Sequence, residues 1–85
     1  MSSISSDISI ASFALVALSY LSKSQLLDDE KAMQAISSLY DRIDPSLRPV
    51  DFDSSKAVKF ARMGDKVLEN KIKQLREQQH LSSLD

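Results

Sequence analysis

Three groups of residues in this 85-residue chain have types and spacings that chemistry uses. The first is the acidic run Asp28, Asp29 and Glu30. Adjacent carboxylates suit a hard divalent cation, but such a site takes about six or more oxygen ligands. No second cluster at ligand spacing accompanies the run, and capping accounts for it: Asp28 begins a helix, and Asp29 and Glu30 put negative charge in its first turn, where the dipole favours it. The second is His80, the only histidine. General acid–base work needs a positioned group with a tuned pKa. His80 stands in a predicted frayed tail, and the sequence shows no zinc spacing, phosphate-cradling glycine loop or nucleophile elbow. These residues predict no metal, no cofactor and no enzyme.

The third group is the row Lys59, Arg62, Lys66 and Lys73, which shares one face of a predicted helix. A phosphate backbone rewards such a row through counterion release. Glu69 interrupts it, no aromatic residues are interleaved, and the net charge of the chain is −1. The segment before it is too long for the turn of a helix-turn-helix. A solvated helix face is the simpler expectation, with nucleic acid or an acidic partner as the alternative.

The elements that carry these residues are helical. There is one glycine, there are two prolines, and no Asn-Gly or Asp-Gly pair occurs. Hairpin turns rely on such residues for positive φ. No segment alternates apolar and polar at strand length. We expect an all-α fold: a small antiparallel bundle of three helices over about 6–24, 29–43 and 55–79. It forms one domain over 1–85, with a loose N-terminus at 1–5 and a frayed tail at 80–85. Residues 25–27 form a short connection, so the first two helices should be antiparallel neighbours. Pro45 and Pro49 break the chain over 44–53, and Phe52 should tuck against the bundle beside a cap at Asp53 or Ser54. Ala57, Ala61, Gly64, Leu68, Ile72 and Leu75 step by threes and fours along the third helix, as a coiled-coil seam does. Gly64 falls inside that helix, where a close contact from Phe13 or Tyr20 would explain the missing side chain.

Residues 8–22, ISIASFALVALSYLS, hold no charge. On a helical wheel one apolar group is Ile8, Ala11, Leu15 and Leu18, and a second is Ile10, Phe13, Ala14, Ala17, Tyr20 and Leu21. A surface helix needs an apolar stripe of only about 100° or a little more, so this helix should be covered on two sides. The run is short for a membrane span, which takes about 20 apolar residues. The flank MSSISSD has no basic residue, as a signal peptide would need. These features, with the absence of cysteine, lead us to expect a cytoplasmic protein.

In a lone three-helix bundle, one side of the first helix would remain open. A contiguous apolar patch of that kind marks an interaction site. The expected function is a non-enzymatic interaction module: an adaptor, small chaperone or assembly subunit that packs against another helical protein or a second copy of itself. Ile10, Phe13, Ala17, Tyr20 and Leu21 are the expected interface, with Ile8, Leu15 and Leu18 turned toward the other helices; the alternative is the two groups exchanged. Phe13→Asp should then abolish association and leave helicity. Two alternatives stand beside this one. The first is a small regulator binding nucleic acid through the third helix. The second is a subunit of a secretion or filament assembly, since small needle-type subunits of bacterial secretion systems are similarly short helical hairpins with a proline turn. That likeness is one of architecture and no motif carries it.

Overall fold

The computed structural model describes residues 3–83. These residues form an all-α fold: α1 (Ser3–Ala17), α2 (Lys23–Leu27), α3 (Asp29–Arg42), α4 (Ser54–Arg62) and α5 (Asp65–Ser83), with a 3₁₀ turn at Pro45–Leu47. Two of the three expected helices are therefore divided. Among the described residues, no helix is long and apolar enough to cross a membrane.

The first division follows Ala17. The Ser19 and Tyr20 amides bond three residues back, to Val16 and Ala17, and the Ser19 hydroxyl donates to the Val16 carbonyl at 2.7 Å. This tightening closes α1, because a side-chain donor takes up a terminal carbonyl. Ser22 then starts α2 with a reciprocal capping box: its side chain accepts from the Gln25 amide, and the Gln25 side chain accepts from the Ser22 amide. The expected connection at 25–27 is thus part of a short helix.

The second division is at Gly64. Its φ is +86°, so it stands in the left-handed region between α4 and α5 and not inside a helix. Glycine closes helices in this way because it has no Cβ to clash. No atom lies within 4 Å of where a Cβ would stand, so the expected packing of Phe13 or Tyr20 over Gly64 does not occur. The backbone alone accounts for the residue.

Local caps match the sequence closely elsewhere. The Asp28 carboxylate accepts from the Lys31 amide at 3.1 Å and opens α3. The Asp53 carboxylate accepts from the Ser55 and Lys56 amides and opens α4. Arg48 closes α3 from outside, donating from Nε to the Tyr40 carbonyl and from Nη2 to that of Asp41, each at 3.0 Å.

α1 lies at the centre. Ile10, Ala11, Phe13 and Ala14 meet Ala57, Phe60 and Ala61 of α4 and Leu68 and Ile72 of α5 in one core, which Ala32 and Ile36 of α3 complete. Alanine on both sides allows close helix approach, since interaxial distance follows the side chains at the contact. Ile10, Ile36 and Leu68 are fully buried, and each such side chain stabilises the fold by about 1.5–3 kcal/mol. Phe13 joins this core to a ring cluster. It meets Phe52 edge-on at 5.4 Å and Tyr40 at 6.2 Å, while Tyr40 and Phe52 stack at 4.3 Å. Phe52 therefore tucks inward as expected, whereas Leu47 and Val50 of the same segment are exposed.

Two long-range polar contacts set the helix directions. Asp7 near the start of α1 pairs with Lys56 near the start of α4 at 2.8 Å. Ser5 accepts from Gln79 near the end of α5 at 2.6 Å. Hence α4 runs with α1 and α5 runs back against it. Residues 80–83 are helical where fraying was expected, and α1 already begins at Ser3. The expectations for residues 1–2 and 84–85 lie outside the described residues.

Candidate functional site

α1 is apolar almost all round and has little hydrophobic asymmetry, so its orientation is decided by fit. Ile10, Phe13 and Ala17, expected at a partner interface, are 1%, 7% and 0% exposed within the single chain. They belong to the core, and the orientation expected for α1 is corrected accordingly. Tyr20 and Leu21 lie beyond the end of α1, beside Ala35 and Leu39 of α3. Tyr20 is exposed and Leu21 half-buried. Ile8, Leu15 and Leu18, expected to turn inward, are each half-buried.

The open side of α1 is the ridge from Ser12 to Val16, and Val16 is 57% exposed. On one flank lies a groove of about 960 Å³ between α1 and α5, with Leu15, Val16, Ile72 and Leu81 providing its apolar surface. Its rim carries both signs of charge, with Glu69 and Glu77 beside Lys73 and Arg76, and His80 also lines it. On the other flank a groove of about 540 Å³ runs between Ile8, Phe13 and Val16 and the segment Ile43 to Pro49. Ser12 and Val16 line both grooves, so the two form one furrow on either side of a low ridge.

The basic row is not one face. Lys59 and Arg62 belong to α4, and Lys66 and Lys73 to α5, with the turn at Gly64 between them. Arg62 is engaged within the fold: it donates to the Leu26 carbonyl and pairs with Asp29. Lys59 and Lys66 are exposed, and Lys73 stands on the rim of the α1–α5 groove. The acidic run is likewise spent locally, with Asp28 as cap and Asp29 on Arg62. Among the described residues, no group of three His, Cys, Asp or Glu side chains is placed to hold a metal ion.

Two ionisable groups are displaced from their ordinary values. The Asp44 carboxyl is held low, chiefly by the Ser46 amide and then by the Ser46 hydroxyl, at 3.0 and 2.9 Å. The Lys56 ammonium is held high by its hydrogen bond and charge contact with Asp7. Both sit where they fasten turns and helices, away from the α1–α5 groove.

The sequence reading missed Leu81 and the rim of α5, because HLSSLD looked like a frayed end. Periodicity offered no signal for Leu81: it follows Ile72 by nine residues, about 180° away on a helical wheel, and only the continuation of α5 to Ser83 places it on the groove wall. No family model matches this chain, and no curated protein or solved structure matches it significantly.

Proposed function

We propose that this protein is a non-enzymatic interaction module that receives a partner helix in the furrow over the Ser12–Val16 ridge. The observation that supports this reading is an open apolar surface beside a core that is already complete. Ile10, Ile36 and Leu68 are sealed within one chain, yet Val16 and Leu81 remain 57% and 63% exposed on the walls of one groove. Singly exposed apolar side chains are ordinary, whereas two that meet across one groove beside half-buried Leu15 support a docking site. The mixed rim selects a partner helix with both charge signs along its flanks, and it sets register more than affinity. Adaptor, small chaperone and assembly subunit are forms of this one role, and the partner is another helical protein or a second copy.

The test is solution mass by light scattering, with circular dichroism on the same samples, for the wild type and Val16→Glu. Self-association that is lost in Val16→Glu at unchanged helicity supports a homomeric role. If the wild type is monomeric, affinity purification with the wild type and with Val16→Glu decides. A helical partner retained by the wild type and lost by the variant supports the proposal, and identical retention by both sinks it.

A further inference from the structure

Two residues, Met63 and Gly64, separate α4 from α5, and of these only Gly64 leaves the right-handed helical region. Met63 closes α4, and the Leu68 amide already bonds to the Gly64 carbonyl as the first bond of α5. Across that break one line of buried positions keeps the phase of a single helix, with buried Val58 and Phe60 of α4 on either side of it. Ala57, Ala61, Leu68, Ile72 and Leu75 are all buried, and the distance from residue 57 to residue 75 is about five turns at 3.6 residues per turn. A joined helix would therefore present Ala57, Ala61, Leu68, Ile72 and Leu75 on one side.

α5 packs chiefly on α1 and only lightly on α4. It runs back along α1 from the turn, so its place depends on α1 and on the backbone of Gly64. We propose that Gly64 is the hinge of an arm exchange between two copies of this chain. When its φ passes from the left-handed to the right-handed helical region, α4 and α5 join into one helix over residues 54–83, roughly 45 Å long. α5 then leaves its own α1 and occupies the same face of α1 in the second copy, which returns the exchange. The occupant is a second copy because Leu68, Ile72 and Leu75 lose their cover when α5 swings away. The surface that Leu68 and Ile72 left is the part of the core that holds Ala11 and Ala14 of α1. Exchange restores every α1–α5 contact, including the Gln79–Ser5 bond, and creates only the joined helix as new structure.

The hinge can be biased in either direction. Gly64→Ala finds open space for its Cβ, so its effect comes from the backbone. The left-handed form is strained by the new side chain, while the joined helix is favoured by it. Asp65→Pro does the reverse: proline suits the first turn of α5 and cannot sit inside a continuous helix. Solution mass and X-ray scattering are measured for the wild type, both variants and Gly64→Ala combined with Val16→Glu. The expected result is that Gly64→Ala tightens dimerisation by roughly a hundredfold or more over the wild type. Its dimer should be longer than the 43 Å of the folded chain, and Asp65→Pro should remain monomeric. The Gly64→Ala dimer should survive Val16→Glu, because exchange does not use the furrow; loss of that dimer at retained helicity would show docking in the furrow instead and overturn the exchange. A folded, monomeric Gly64→Ala protein also overturns it. Should Gly64→Ala fail to fold, the wild type and Asp65→Pro decide: equal masses at every concentration up to the millimolar range overturn the hinge.

Discussion

Arg62 Nε donates to the Leu26 carbonyl at 2.9 Å, so a residue at the end of α4 closes the last turn of α2. The same guanidinium pairs with Asp29, the first residue of α3. One side chain thereby ties three helices at a corner where α2 buries no residue of its own. The fork geometry matters, since two donors on one plane reach two acceptors at once. Arg62→Ala should cost about 1–2 kcal/mol, below the roughly 1.5–3 kcal/mol of a charge-assisted hydrogen bond because both side chains of the Arg62–Asp29 pair are exposed to solvent. Arg62→Lys should recover less than half of that, because an ammonium is a point charge. Urea unfolding of the three proteins gives the comparison, and full recovery by lysine would reduce the corner to simple charge attraction.

Phe13 and Val16 stand one turn apart on α1 and should respond in opposite ways. Phe13 is buried against Tyr40, Phe52 and the core. Truncating such a ring costs about 3–5 kcal/mol, a large part of the 5–15 kcal/mol typical of a whole domain. Phe13→Asp adds an unpaired buried charge and should unfold the chain, contrary to the sequence-based expectation that helicity would survive. Val16→Glu faces the furrow and should change stability by less than about 0.5 kcal/mol. Circular dichroism with thermal melting separates the two. A folded Phe13→Asp protein would mean that α1 presents its other face.

The helix-start signals were legible because they are local. Asp28 and Asp53 cap by reaching amides two or three residues on, and nothing distant can alter that. The tuck of Phe52 was legible for the same kind of reason, since the cap at Asp53 fixes it. The division at Ser19–Ser22 depends on which of several serines captures a carbonyl, and a row of serines offers too many candidates. Gly64 was misplaced because the apolar phase runs straight through it. The open face of α1 was hidden by its composition. With apolar side chains nearly all round, the choice between Phe13 and Val16 as the inward residue rests on long-range packing, of Phe13 against Tyr40 and Phe52 among others, which periodicity does not display.

The two acidic caps offer a direct check on the metal question as well as on stability. Asp53 accepts from two amides and Asp28 from one. Each should cost about 1 kcal/mol on replacement by alanine, with Asp53→Ala the more damaging. Asp28→Asn should be close to neutral, because asparagine caps almost as well and only a metal ligand would need the carboxylate. Thermal melts with and without magnesium or calcium provide the measurement. A melting temperature that rises with cation in the wild type and not in Asp28→Asn would contradict the capping role assigned here.

The pH dependence follows from Asp44 and Lys56. Asp44 is held below its ordinary value of 3.8 by the Ser46 amide and hydroxyl. A lowered carboxyl contributes stability that is present above the unfolded value and lost as the pH falls through the folded one. The stability gap between the wild type and Asp44→Ala should therefore be constant from about pH 5 upward and shrink below about pH 4. Lys56 is held above its ordinary value of 10.5 by Asp7. A raised amine contributes fully below the unfolded value and loses that contribution as the pH rises through the folded one. The gap between the wild type and Lys56→Met should thus hold at neutral pH and close only above about pH 10.5. Because the Lys56–Asp7 pair is partly open to solvent, added salt should narrow the second gap. It should leave the first nearly unchanged, since Asp44 is held mainly by hydrogen bonds to a neighbouring residue. Melting temperatures across pH at low and high salt read out both groups. A gap at Asp44 that persists unchanged at pH 2 would show that the turn needs the oxygen as an acceptor and not its charge.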